Sequence, residues 1–200
     1  MDDLIRGVMR LAYLCAASDG NLADQEVDAL EELDVLLRLI FRNRELISAH
    51  AETGRLPPQL PEAVLATSYP TPDAGTLPSH LLELHEKRSN AQSTEDLLEM
   101  YRVEAANITD EFDRQVALFA MAHVAMADGD LAYGELFVMQ YFMHELWDID
   151  EVGTDIYEST CDFVRIVTGD DVRAGDEDEE EGGDDDEKGN DEGNQNDGED

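Results

Sequence analysis

The chain has 200 residues, 42% of them hydrophobic, and carries 49 acidic against 13 basic side chains, a formal net charge of −36. That apolar fraction supports a core in one domain or two small ones, while the excess negative charge repels phosphate backbones and anionic lipid surfaces and argues against direct nucleic-acid binding or membrane contact. No apolar run reaches the roughly 18 residues of a membrane span, and the acidic start Met1-Asp2-Asp3 lacks the positive region of a secretory signal, so a cytoplasmic location is expected.

Leu4, Val8, Leu11 and Cys15 recur at steps of four, three and four, with Ile5 and Ala12 widening the stripe, which predicts an amphipathic helix. Asp19-Gly20 should end it, because glycine tolerates the left-handed conformation that follows a helix. A second helix carries Val27, Leu30, Leu33, Leu37 and Ile40 on one face and is expected to extend as far as Ile47. All six prolines lie between Thr53 and Ser79, so this stretch reads as a loop with one helical turn near Glu62–Ala66, separating two helical halves.

In the second half, Ser93 and Asp96 start a helix with Leu97, Leu98, Tyr101 and Ala105 inward. Thr109 should cap the next one, with Asp110 and Glu111 in its first turn and Phe112, Val116, Phe119 and His123 or Val124 buried. That helix ends at Asp128-Gly129, and a further one carries Leu136, Met139, Phe142, Met143 and Leu146. Asp148 with Glu151 can cap a last helix with Ile149, Val152, Ile156, Phe163 and Val167 inward. No stretch alternates with period two, so the chain reads as all-α: a compact helical bundle over residues 1–168.

From Gly169 to Asp200 there are 17 acidic and 2 basic residues, a net of −15, with nothing apolar to bury. This segment is expected to be a disordered tail that serves solubility, or that loosely holds cations or a basic protein. The body before it carries 32 acidic and 11 basic side chains, a net of −21. Lysine occurs only twice, at Lys87 and Lys188. An acidic, lysine-poor body fits a cytoplasm of high salt, and a GC-rich genome accounts for the arginine bias equally well. Cys15 and Cys161 both sit in apolar patterns and read as buried, reduced thiols.

The most informative feature is a repeat. Ser18-Asp19-Gly20-Asn21-Leu22-Ala23-Asp24-Gln25-Glu26 and Ala127-Asp128-Gly129-Asp130-Leu131-Ala132-Tyr133-Gly134-Glu135 agree at Asp, Gly, Leu, Ala and Glu, so that Asp128 answers to Asp19 and Glu135 to Glu26. Each copy joins an alanine-rich apolar helix to an amphipathic one, which makes a duplicated helix–loop–helix hairpin the simplest account, and the halves pseudo-symmetric. In each copy the aspartate can accept turn amides and the glycine supplies positive φ. The leucine pins the loop, and the glutamate reaches back as in a capping box. The cap position is Ala23 or Ala132, so that glutamate lacks its reciprocal partner.

Hard oxygen donors collect at both loops: Asp19, Asn21, Asp24 and Glu26 in the first, Asp128, Asp130 and Glu135 in the second. They suit Ca²⁺ or Mg²⁺ better than zinc, and Asp130 makes the second loop the stronger candidate. Glu26 is only eighth counting from Asp19, whereas an EF-hand places its bidentate glutamate twelfth. The plainer role of the same residues is to end and begin helices.

An alanine-rich helix, then (Ser/Ala)-Asp-Gly-x-hydrophobic-x-x-x-Glu, then another helix, present twice, resembles the TerB family of tellurite-resistance proteins. The likeness covers about residues 4–41 and 111–167; the co-chaperone DjlA has a related N-terminal domain. The resemblance implies a compact helical protein without established catalytic chemistry. Its acidic loop residues, here Asp19, Glu26, Asp128 and Glu135, would hold divalent cations. It also implies protein partners, among them membrane-bound components of the tellurite-resistance system. Ala23 and Ala132 depart from the serine or acid frequent in the family, and the link between the halves is long.

Other chemistry is thin. His144-Glu145 opens a zincin pattern, but Asp148 stands where its second histidine belongs. His80 and His85 are five apart, a poor helical spacing for two ligands, and read as an exposed polar face. There is no phosphate-binding glycine loop, nucleophile elbow, Cys-x-x-Cys or Glu-x-x-His pair. The expected function is a non-enzymatic adaptor of TerB type with a divalent cation at its loops. The alternative is a DjlA-like co-chaperone or scaffold that works through protein contacts alone.

Overall fold

The first helix, α1 (Asp2–Ala16), is buried over most of its circumference, from Ile5 through Leu11 and Tyr13 to Ala16. Its first half shows an exposed face with Asp2, Asp3 and Arg6, but every residue from Leu11 to Ala16 is buried, and a helix end enclosed on all sides belongs in the middle of a fold. Its partner there is α6 (Glu111–Ala125), buried from Phe112 to Ala125 and the element against which α1 packs most extensively. Alanines at 12, 16, 117, 120 and 125 line this centre and let the helices approach closely. The computed structural model describes residues 1–54, 77–149 and 155–168, and among these there is no strand.

Around the central pair lie α2 (Asp24–Arg42), α3 (Arg44–Thr53), α4 (Leu82–Ser89), α5 (Thr94–Ala105), α7 (Tyr133–Gln140) and α8 (Asp155–Thr168). A 3-10 turn, Ser79–Leu81, leads into α4, and a π-helical turn, Tyr141–Leu146, continues α7. α2 packs on α1 and α6, and α8 packs on α3 and α6. Cys15 and Cys161 are buried, as their apolar settings predict, and neither is in a disulfide.

Several expected boundaries move. The second helix does not run to Ile47: it stops at Arg42, where Asn43 takes φ −107°, ψ 20°, and donates from its side chain to the Leu39 carbonyl, 2.8 Å. A separate helix, α3, then begins. Asp110, not Thr109, caps α6, accepting from the Phe112 amide at 3.0 Å. Asp148 closes the π turn instead of opening a helix: it sits at φ 53°, and the Ile149 amide beyond it donates back to the Met143 carbonyl, 2.8 Å. Leu136, expected inward, is 40% exposed. Ser93 and Asp96 start α5 as expected, and they do so through a reciprocal capping box. The turn expected near Glu62–Ala66, Glu151, Val152 and the acidic tail lie outside the described residues.

The last helix begins in a way that its own sequence cannot show. Gln115 of α6 is buried, and its Oε1 accepts from the amides of Ile156 and Tyr157, 3.0 and 2.9 Å. Helix starts leave unpaired amides, and here a side chain from another helix satisfies two of them.

Candidate site at the junction of the two hairpins

Both Asp-Gly loops adopt the same conformation. Gly20 and Gly129 take φ 95° and 86°. Asp19 Oδ1 accepts from the Asn21 amide at 2.8 Å, and Asp128 Oδ1 from the Asp130 amide at 3.0 Å. Ala23 and Ala132 hold matching extended backbones, φ/ψ −69°/154° and −66°/148°. Their amides donate to Glu26 Oε2 and Glu135 Oε2 at 2.6 and 2.7 Å. Each glutamate thus ties back to the residue before its helix, the half capping box that an alanine cap leaves.

What the repeat could not reveal is that these two glutamates meet. Glu26 is 4% exposed and Glu135 3% exposed. Their side chains are hydrogen-bonded to each other, with Asp19 within electrostatic reach of both and Asp128 within reach of Glu26. Two carboxyl groups can bond only if one keeps a proton. Burial, then the contact with Glu26, holds the Glu135 carboxyl up to about 8. Burial also raises Glu26, against the pull of the Ala23 amide.

Two further contacts fix the junction. The Cys15 thiol donates to the Glu135 carbonyl, 3.6 Å, and burial, followed by the nearby Glu135 and Glu26 charges, pushes that thiol far above its ordinary range. Gly134 lies against the 3-10 turn that follows α1: a β-carbon placed there would stand 3.1 Å from Ser18 Oγ and 3.2 Å from the Asp19 amide nitrogen. Its counterpart in the first repeat, Gln25, is exposed, so the twofold relation breaks here.

The seven candidate ligands therefore divide. Glu26 and Glu135 are buried at the junction, whereas Asp19, Asn21, Asp24, Asp128 and Asp130 are exposed in the loops around it. Among the described residues, no three or more His, Cys, Asp or Glu side chains are grouped so as to hold a metal ion. No helix among them is long and apolar enough to cross a membrane.

Of the histidines, His123 is half-buried and stacks on Phe119, with ring centroids 5.6 Å apart. His85 is exposed, as expected, and its Nδ1 is also hydrogen-bonded with the Tyr13 hydroxyl, 2.8 Å. Burial lowers His80, which feels Arg6 and Arg10 of α1 and Asp34 of α2.

No family model matches the chain, nor does any curated protein or solved structure.

Proposed function

We propose that the chain is a non-catalytic helical adaptor of TerB type that takes a divalent cation, Ca²⁺ or Mg²⁺, where its two Asp-Gly hairpins meet. The observation that supports this is the hydrogen-bonded pair Glu26–Glu135, with Asp19 and Asp128 in electrostatic reach. These are the four residues that the resemblance to TerB marks as candidate cation ligands. A divalent ion placed between the loops would replace the shared proton and offset the repulsion among four carboxylates with hard-oxygen ligation. One ion bridging both loops fits this arrangement better than one ion per loop, because each loop aspartate already commits an oxygen to its own turn.

Calorimetric titration of Ca²⁺, Mg²⁺ and Mn²⁺ into the full chain tests the reading. Binding heat that Asp128→Asn and Glu26→Gln each weaken about tenfold or more supports it, by the scale of one charged ligand lost. Absence of heat with all three ions ends the cation claim.

A second reading keeps the adaptor and drops the ion, with the glutamates serving only to join the hairpins. The absence of a three-residue ligand group among the described residues favours it. Partner capture that is indifferent to chelator would decide for it. Under either reading the partners are proteins, and the membrane-bound tellurite-resistance components that the resemblance implies are the first to try.

A further inference from the structure

The two hairpins differ in what lies against them. In the first half, the side of α1 that carries Tyr13, within electrostatic reach of Asp34 on α2, is covered by the chain itself. The Ser79–Leu81 turn and α4 bury Leu81 and Leu84, three positions apart, while Leu82, Glu83, Glu86 and Lys87 stay exposed. His85 bonds to Tyr13 of α1, and His80 lies in reach of Arg6 and Arg10 of α1 and Asp34 of α2. The occupant is thus a short amphipathic helix, and its last turn carries Lys87-Arg88, with one of only two lysines in an acidic chain.

The register that sets Asp128 on Asp19 and Glu135 on Glu26 gives the equivalent groove between α6 and α7. Tyr13 becomes Ala122, Val27 becomes Leu136 and Asp34 becomes Met143. Val27 is 7% exposed and Leu136 40%. Leu118, Ala122, Leu136, Met139, Met143 and Tyr157 line an open cleft of about 270 Å³. Beside it on α7, Phe137 is 51% exposed and Tyr133 84%, where the first repeat carries Asp28 and Asp24. The apolar strip therefore continues out of the cleft, and alanine in place of tyrosine leaves it room. The cleft's polar lining is Gln140 and His144, with no lysine or arginine, and the body before Gly169 carries a net of −21. The setting repels an acidic occupant, including the chain's own −15 tail, and attracts a basic one.

We propose that the groove between α6 and α7 is a docking site for a basic amphipathic helix of a partner protein, seated as the Ser79–Leu81 turn and α4 are seated against α1. Leucine-type side chains one turn apart would enter the cleft, and lysine or arginine on the polar face would be drawn by the net negative charge of the body. The proposal deepens the adaptor reading, on which it rests, by giving the partner's chemistry; it does not depend on the cation.

The probe is a fluorescein-labelled peptide of leucine and lysine, about four helical turns long, its leucines spaced three and four apart, titrated by anisotropy into the full chain at physiological salt with chelator present. A control peptide of the same composition has its leucines scattered. The amphipathic peptide should bind at least about tenfold more tightly than the control. Leu136→Asp should weaken it about tenfold, while Val103→Asp, on the exposed face of α5, should change it less than about twofold. Both positions are exposed, so both variants should fold. Equal binding of the two peptides would reduce the effect to bulk charge and overturn the proposal, as would equal losses in the two variants or no binding at all. A dimer in sedimentation that Leu136→Asp dissolves would assign the face to a second copy instead. Because Leu136→Asp leaves the loop carboxylates intact, its cation heats should equal those of the unmodified chain, and the two readings can fail separately.

Discussion

Glu26 and Glu135, one from each copy of the repeat, are buried against each other and joined by a hydrogen bond that requires a proton on one of them. The duplicated sequence motif thereby becomes a contact in space. Each hairpin ends its loop with a glutamate tied to its own backbone, and the two glutamates in turn tie the hairpins together.

The shared proton makes stability depend on pH in a defined direction. An unfolded glutamate titrates near 4.5, and Glu135 in the folded chain near 8. Below about 4.5 both states hold the proton and the pair contributes fully. As pH rises towards 8 the unfolded state gains by ionising while the folded state keeps its proton, so this contribution is lost, and above 8 the pair is charged and repulsive. Glu135→Gln supplies a permanent donor to Glu26 and still accepts from Ala132. Chemical denaturation at pH 5 and pH 9 should therefore show the variant gaining on the unmodified chain by about 1–2 kcal/mol across that range, after discount for solvent screening. Parallel stability profiles for the two chains would mean that no proton is shared.

Gly134 should resist substitution although it lies in a helix. Replacing glycine with alanine in a helix ordinarily gains about 0.5–1 kcal/mol. Here the new methyl would press on Ser18 Oγ and on the backbone of Asp19, at 3.1 to 3.3 Å. The serine can rotate; the backbone of a 3-10 turn ending in left-handed Gly20 cannot easily withdraw. Overpacking of this kind costs about 1–3 kcal/mol, so Gly134→Ala should lose about 1 kcal/mol net. The same change at Gly7, with nothing within 4 Å of an added β-carbon, should be neutral or stabilising. Thermal melts of the two variants give the comparison, and a rise in Tm for Gly134→Ala would refute the close approach.

Much of this fold is legible in the sequence because its signals are local. The 3.6-residue stripes of α1 and α5, the apolar run of α6, the Ser93 capping box and the two Asp-Gly turns all depend on residues within a few positions of one another. What escaped depends on tertiary contact. α4 is hard to read because its polar residues dominate and only Leu81 and Leu84 face inward. Asn43 stands in the polar run Arg42-Asn43-Arg44-Glu45, which a continuous helix could carry on its outer face, yet it divides α2 from α3. The start of α8 is set by Gln115, far upstream in another helix, and no local pattern marks it. At the candidate site, spacing identifies Glu26 and Glu135 as matched helix-starting residues, but only the folded chain shows that they meet each other.

The two thiols should be inert in the folded state. Cys15 and Cys161 are both buried, and Cys15 also faces the glutamate pair, which raises its pKa further and suppresses the thiolate that reacts. Modification by iodoacetamide at pH 8 should run about a hundredfold or more below the rate of a free thiol and recover in denaturant, since reaction has to await opening of the core. Prompt labelling of Cys15 in the native protein would show that α1 is not held at the junction as described.

The start of α8 gives the sharpest test of long-range capping. Gln115 is buried, and its single side-chain oxygen serves two amides from another helix, at 3.0 and 2.9 Å. Gln115→Leu keeps similar bulk and apolar packing but leaves both amides without that acceptor. Each buried amide left unpaired costs about 1–3 kcal/mol, and partial access of water to a helix start reduces the sum, so about 2–3 kcal/mol is expected. Gln115→Glu retains the acceptor and places a negative charge at a helix N-terminus, which is electrostatically favourable; burial of that charge works against it, so this variant should fall between the other two. Hydrogen exchange separates the cap from general packing: in Gln115→Leu the amides of the first turn of α8 should lose protection before those of α1 and α6. Uniform loss across all helices would instead mean that the side chain matters only for filling space.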